Sequence, residues 1–448
     1  AGLRGSWGSV GVRYTRYGGE FKLLEAEGPA AGGDVEGEEE EGPERKLSDD
    51  RVQVDGKWVA GAWRLESKAQ WQRHWLQELA DEPVAPGEPV VPGREAVQFD
   101  LLLNTFTADL LAHHPLGSAG RGTLGISAIY QDNDTRGPRP IVPDAQTEGF
   151  AVFVVERLNL GAISFLAGVR FDARGLNVSA NRDLGNAEAQ LDWSSASGDV
   201  GLVLQPVEGL ALSANLARGW RAPTLFELFA RGPRIGEARY EVGRNDLEVE
   251  RGTNLDLGLK WMLGPVQGSV ELYRNLIGNY IYLAPTGEVR DGLRVYEHRQ
   301  ADALLRGIEA SAEIQPVVDL ALRVRFDAVE GTNRATGNPL PLIPPPRGVV
   351  EVEYQSSELP WVNRGYASFE VEKNWTQRRL HEFDFPTEGY YLLNLGAGLE
   401  KTYGGRTFRV DLRVTNLADA SYKSFLSRYK EFALNPGRNI VLRLGHDF

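Results

Sequence analysis

The sequence predicts an all-β fold, a transmembrane antiparallel up-and-down β-barrel. Three observations predict it: residues alternate apolar and polar, short and long connections alternate, and no apolar run is long enough for a spanning helix. In "ISFLAGVRFD", Ile163, Phe165, Ala167, Val169 and Phe171 fall on one face of a strand. Ser164, Gly168, Arg170 and Asp172 fall on the other, with Leu166 the mismatch. "FRVDLRVTN" sets Phe408, Val410, Leu412 and Val414 against Arg409, Asp411, Arg413 and Thr415. "VQGSVELYRN" repeats the pattern, with Val266, Gly268, Val270 and Leu272 on one face. A spanning helix needs about 18 uninterrupted apolar residues, so helical membrane proteins are excluded. Barrels stay open, because alternation hides their hydrophobicity.

A soluble sandwich also alternates, so the connections decide. Tight links such as "LQPVEGLALS", "MLGPVQGS", "IQPVVDLAL" and "EKTYGGRTF" hold Pro, Gly or Asp between strands. Long connections fall near 25–45, 79–95, 131–147, 219–252, 283–302, 330–346, 376–388 and 419–436. Short turns on one rim and long loops on the other are the asymmetry of an outer-membrane barrel. Counting up and down yields about 18 strands in a single domain, residues 1–448. The last of them ends on Phe448, with Leu444, Leu442 and Ile440 on the same face and His446 interrupting it, a familiar outer-membrane ending.

Composition narrows the function. A net charge of −13 argues against phosphate-backbone binding, so no nucleic-acid partner is expected. With no cysteine, disulfides, thiolate nucleophiles and zinc-thiolate sites are impossible. No cofactor motif is present.

One segment breaks the alternation: "LARGWRAPTLFELFARGP", residues 216–233. Pro223 ends a strand ladder because it brings no N–H. Thr224 and Glu227 form a T-x-x-E capping box that predicts a short helix from Leu225 to about Ala230, stopped by Gly232-Pro233. Leu225, Phe226, Leu228 and Phe229 cover too many directions for a surface helix, so something apolar must receive them. The structural reading is an elbow that fixes a long loop; the functional one makes Glu227, Arg231 and Arg234 ligand contacts. Catalysis is not indicated, because a lone Glu lacks a partner acid at defined spacing.

"RGWRAPTLFELFARGP" followed by "YEVGRNDLEVERGTNLDLGLKW" resembles the barrel of TonB-dependent outer-membrane receptors. "VELYRNLIGNYIYL", "LLRGIEASAEIQP" and "VTNLADASYKSF…NPGRNIVLRLGHDF" follow in the family's order. "EVG…L…ER" and "YRNLIGNYIY" look most like the branch that includes zinc-uptake members. The resemblance implies a 22-stranded barrel filled by an N-terminal plug domain that bears the TonB box. It places the elbow near the barrel mouth, leaning toward the plug. No plug-like stretch or TonB box precedes the first strand, and the strand count falls about four short. The chain is therefore expected to be a barrel portion lacking its plug and first strands. The expected partners are outer-membrane lipid, an extracellular metal or metal chelate, the plug and, through the plug, the TonB complex.

Further candidates lie in the outer loops. His298 in "VYEHRQAD" has Glu297 beside it, and His381 in "RRLHEFDF" has Glu382 and Asp384, a plausible transition-metal set or ordinary solvated loops. Zinc-branch receptors tend to carry histidine-rich outer loops. The corresponding loop here, "ARGPRIGEARYEVG", has arginines and Glu241 but no histidine, which suits an anionic ligand such as a ferric chelate as well as zinc. His113-His114 falls on the short-turn rim, where consecutive strand residues point oppositely and share ligation poorly. The acidic run "DVEGEEEEGPERK" (34–46) reads as a solvated loop that could concentrate cations through its field. Arg170, Asp172, Glu309 and Arg409 are expected to face the wet interior. "NPLPLIPPPRGVVEVEY" (338–354) is a loop that stiffens entry into a strand.

The expected function is TonB-energised uptake of a scarce nutrient, a metal ion or a metal chelate such as a siderophore or zinc. A passive porin-like channel is the first alternative. A barrel enzyme is the second, needing His298 or His381 beside Ser424 or Ser427.

Overall fold

The computed structural model describes residues 1–23, 43–83, 90–234, 237, 239–357 and 359–447. The expected loop near 25–45 falls largely outside the described residues, as do most of the acidic run and Phe448.

Every long element is a strand. In chain order they are β1 Gly2–Gly5, β2 Gly8–Lys22, β3 Glu44–Ala60, β4 Trp63–Pro83, β5 Val90–Leu116, β6 Gly120–Arg136 and β7 Ala145–Leu160. There follow β8 Ile163–Val178, β9 Ala189–Val207 and β10 Leu210–Arg221. The elbow contributes α1 Leu225–Phe229, β11 Arg231–Arg234 and β12 Arg239–Val242. The wall resumes with β13 Glu250–Leu263, β14 Val266–Arg290, β15 Leu293–Val317, β16 Leu320–Asn333 and β17 Arg347–Ser356. It continues through β18 Arg364–Asn374, β19 Tyr390–Tyr403, β20 Arg406–Thr415 and β21 Asn439–His446.

All 21 strands join one sheet. Each wall strand pairs antiparallel with its chain neighbour, from β1–β2 through β20–β21, and β10 passes directly to β13. With β11 and β12 outside that succession, the described wall has 21 − 2 = 19 strands. One more is found than expected, because Gly2–Gly5, ahead of the predicted first strand, pairs with Gly8–Gly11.

The expected faces are present. Phe165, Val169 and Phe171 are 43, 62 and 49 % exposed, so no second layer covers them. Their polar neighbours face the other way, where Arg170 Nε donates to Asp172 Oδ1 at 2.8 Å. Ion pairs continue on that inner face: Arg323 meets Glu313, Glu351 and Glu353, Arg325 meets Glu370, and Arg347 meets Glu372. The outer face carries an apolar band that continues through Leu110, Ile126, Val200, Leu257 and Val352. A wall greasy outside and charged inside fits lipid on one side and water on the other.

The segment 283–302 corrects an expectation. It is not a loop: β14 and β15 pair from Leu283↔His298 to Arg290↔Leu293, with a register shift between Pro285 and Val289. Asp291 (φ 49°) and Gly292 (φ 74°) turn the chain with both residues in the left-handed region, the two-residue turn whose twist matches a hairpin. The other connections depart from their expected spans in both directions. The one after β6 is 137–144, shortened because strands run into it, whereas those after β18 (375–389) and β20 (416–438) are longer than expected.

Burial concentrates where connections fold inward at the long-loop end. Ile141 and Val142 pack with Phe99, Leu101 and Ala230; Leu228 and Leu247 pack with Leu176, Val178 and Ile281.

The two faces make opposite predictions. Val169→Arg sits near the middle of β8 on the lipid side and should cost about 2–4 kcal/mol, read by denaturant unfolding in bilayers. Arg170→Gln, next to it on the wet side, should cost under about 1 kcal/mol, since its partly exposed ion pair is worth little. Equal costs would remove the lipid assignment.

Candidate functional site at the barrel mouth

The elbow opens as its sequence dictates. Thr224 is extended (φ −82°, ψ 163°) and caps α1: Glu227 N donates to Thr224 Oγ1 at 3.2 Å, and Thr224 N to Glu227 Oε2 at 2.7 Å. The helix ends one residue before the expected stop. Ala230 turns to extended backbone (φ −57°, ψ 135°), and Gly232-Pro233 sits inside β11 instead of ending a helix. Proline is tolerated there because β11 pairs on one side only, with β12.

The four apolar side chains of α1 find the receiver they require. Leu225 and Phe226 lie against the Phe99, Leu101 and Ile141 cluster, and Leu228 and Phe229 against the Leu176, Val178 and Ile281 cluster. These partners lie on the inner face of the wall, so the elbow folds into the mouth.

Arg221 knots strand ends to elbow. Its Nε donates to Glu250 Oε2 and its Nη1 to Glu227 Oε2, both at 2.7 Å. Glu250 also accepts from the Ile281 N–H at 2.5 Å. Burial works to raise the Glu227 pKa, but the Arg221 hydrogen bond and the Thr224 backbone outweigh it and hold the carboxyl below its ordinary value. Glu227 is thus spent on cap and knot. Gly243 closes the motif: a Cβ there would lie 2.6 Å from Leu228 C and Phe229 N, and Gly243 N donates to Ala230 O.

The predicted arginines divide. Arg231 Nη1 donates to Leu184 O at 3.1 Å, latching the elbow to the β8–β9 connection. Arg234 stacks over Phe226 at 4.9 Å and reaches Glu237 at 3.4 Å. Glu237 is a convergence point that sequence reasoning missed. Arg239 also pairs with it, and Arg428, from the connection after β20, meets it at 2.8 Å. Arg239 Nε donates to Glu241 Oε1 at 2.7 Å, and the Glu241 residue is 4 % exposed. Beside these, Arg294 near the β14–β15 tip meets Glu431 at 3.1 Å. Nearly two hundred residues separate Glu237 from Arg428, so no local signal links them.

β12 lies parallel to β15, with Glu241 opposite Tyr296 and Val242 opposite Glu297. The next residue of β15, His298, has its Nε2 buried without a hydrogen-bond partner. Burial lowers its pKa, with Glu241 and Glu227 opposing and Arg239 and Arg221 reinforcing. Glu241, Glu227 and His298 are therefore brought within electrostatic reach of one another.

His381, Glu382 and Asp384 form a turn instead. Asp384 caps its own loop, accepting from His381 N and Leu342 N at 3.0 Å each. His381 Nδ1 accepts from Phe383 N, and Glu382 is exposed. Among the described residues no group of three or more His, Asp or Glu side chains is arranged to hold a metal. Ser427 Oγ accepts from Tyr429 N, and Ser424 bonds Tyr390. At the opposite rim, His114 Nε2 meets Glu156 at 3.2 Å while His113 Nδ1 meets Thr123 at 2.9 Å, so the two rings serve different partners. A buried lysine was also unforeseen: Lys430 donates to Phe425 O at 2.7 Å and lies 4.1 Å over the Phe425 ring, its pKa lowered by burial.

Two predictions follow from this geometry. Gly243→Ala should force the α1 end away from β12 and cost about 1–3 kcal/mol of local stability, read as faster hydrogen exchange over 225–244. For His298, the folded pKa lies below the unfolded one, so stability is complete above about pH 6.5 and declines as pH falls below it. Exchange of the amides in 239–242 and 295–298 should accelerate on acidification in the wild type, and His298→Gln should remove that pH dependence.

The chain matches the family model described as TonB dependent receptor-like, beta-barrel, over residues 4–417. Solved structures share the architecture at low identity. A copper transporter, OprC, superposes with a TM-score of 0.72 at 16% identity, covering 98% of this chain and 76% of that one. BauA, the ferric preacinetobactin receptor from Acinetobacter baumannii, gives 0.73 at 14%, covering 100% and 71%. The FrpB iron transporter from Neisseria meningitidis (F3-3 variant) gives 0.73 at 13%, covering 99% and 70%. This chain belongs to the TonB-dependent receptor family as its outer-membrane β-barrel, a transport protein and not an enzyme.

Proposed function

We propose that the protein captures an anionic metal chelate, of the ferric-siderophore class, at its mouth and imports it with energy delivered through TonB. The observation that carries this reading is the convergence of Arg234, Arg239 and Arg428 on the single carboxylate of Glu237. With Glu241 also holding Arg239, three guanidiniums face two carboxylates, which still leaves donors and one net positive charge for an anion, and a chelate brings the metal's ligands with it. The family supports TonB energisation, and the names of the similar structures (copper, iron, ferric preacinetobactin) support a metal-bearing cargo. A plug partner is supported by the inner wall near the short-turn rim. There a cavity of about 950 Å³ is lined by Lys260, Gln267, Ser269, Glu313 and Arg323, polar groups that a protein surface can satisfy.

A second reading, uptake of bare zinc, rests on one observation: the unpartnered His298 Nε2 near Glu241 and Glu227. Neutral imidazole is a zinc donor, and Glu241 and Glu227 would have to leave Arg239 and Arg221 to join it.

Uptake of labelled ferric siderophores and labelled zinc by cells carrying the full-length receptor separates these readings. Arg239→Gln with Arg428→Gln should weaken chelate binding about tenfold, some 1.4 kcal/mol, and leave zinc untouched. Loss of TonB should abolish uptake. Uptake that continues without TonB would mean a passive channel, and zinc uptake lost in His298→Ala with chelate uptake intact would favour the second reading.

A further inference from the structure

Away from the mouth, the outer wall carries a charge pattern that ligand capture does not use. Arg218 of β10, Arg251 of β13, Arg274 of β14 and Arg306 of β15 stand on four successive wall strands. Alternation and register place all four on the outward face, the face of exposed Leu216, Leu255, Leu257 and Leu272. All four are exposed. Counted from the short turns at Gly209, Gly264 and Val318, they lie roughly 9–13 residues up their strands. A tilted strand has then used the 9–11 residues that hydrocarbon requires. The row therefore sits where acyl chains give way to headgroups on the outer side.

Its electrostatics are unresolved within the protein. Arg274 and Arg306 are direct cross-strand partners, and like charges so placed repel. Arg306 has one acid, Glu330, which it shares with Arg379 at 2.8 Å each. Arg218, Arg251 and Arg274 make no ion pair or side-chain hydrogen bond with any described residue. The chain does not lack acids, at net −13, yet at similar height the outward positions of β6 and β7 hold Asp132 and Glu148. Positive charge is thus gathered on one arc of the wall.

We propose that this arginine row docks the phosphate groups of an anionic lipid of the outer leaflet. Guanidinium forks match phosphate oxygens in pairs, and long arginine stems can lie along the leucines while their heads reach the headgroup plane. Exposed Leu216, Leu255 and Leu272 beneath supply the surface against which that lipid's chains pack. The occupant is a lipid and not a soluble anion, because the row faces away from the lumen and borders an apolar band. The inference holds for any transported nutrient, so its failure and that of the chelate reading are separable.

The test uses the full-length receptor extracted from its own membrane into neutral detergent. Phosphorus assay and mass spectrometry should find phosphate-bearing lipid retained through washing. Retention should fall several-fold in Arg274→Gln/Arg306→Gln and again when Arg218→Gln and Arg251→Gln are added. Asp132→Asn/Glu148→Gln should leave it unchanged. Added phosphatidylglycerol should raise the unfolding temperature of the wild type more than phosphatidylcholine does, and inorganic phosphate at equal concentration should not substitute. Without lipid, Arg274→Gln should unfold no earlier than wild type, since it removes a repulsion; this distinguishes lost lipid from lost folding. Equal retention in the arginine variants, no preference for phosphatidylglycerol, or an equal effect of free phosphate would each overturn the proposal.

Discussion

Hydrocarbon offers no partner for a backbone N–H or C=O, and that constraint organises the molecule. A chain that crosses lipid as strands must pair every strand with its neighbours, so β1 to β21 follow one another around the wall with only the elbow intervening. Pairing fixes register, register fixes the two faces, and each face takes the residues its solvent allows. The outward Phe165, Val169 and Phe171 and the inward Arg170–Asp172 pair are two products of one requirement.

What the wall leaves to choice is the mouth. There the backbone is free to leave the ladder, and side chains decide the path. One arginine, Arg221, holds the ends of β10 and β13 and the cap of α1 in a single knot, with Glu227 and Glu250 as its acceptors. The apolar face of α1 anchors that knot to the inner wall, and the hairpin that follows projects arginines toward the connection after β20. Structural and recognition duties are thus divided within one segment: Glu227 and Arg231 hold the elbow in place, while Arg234 and Arg239 are left at the cluster around Glu237.

The parts of this arrangement that are local were legible in the sequence. Period-two alternation marked the wall, and T-x-x-E marked the first residue of α1. The parts that depend on contacts between distant segments were not. Gly232-Pro233 reads as a stop, but the chain had already left the helix at Ala230 because an extended hairpin was available to pair. Residues 283–302 read as a loop because Pro285 and the polar run to Glu288 interrupt the alternation. The signal that outweighed them was Asp291-Gly292, a dipeptide suited to a tight hairpin turn. The loop histidines illustrate the same limit: His298 and His381 look alike in sequence, and only packing leaves one with a buried, unpartnered nitrogen and the other tied into its own turn.

The β14–β15 hairpin rises beyond β16, whose pairing with β15 ends at Ala303↔Asn333. Above that point one flank of β15 would be bare amide and carbonyl groups, an invitation to any passing strand. β12 lies along that flank at Val295, Tyr296 and Glu297, in the sheet's parallel exception. The elbow hairpin is therefore also a bumper: it spends the hairpin's adhesive side internally, so that receptors crowded in one membrane can jostle at their crowns without zipping together.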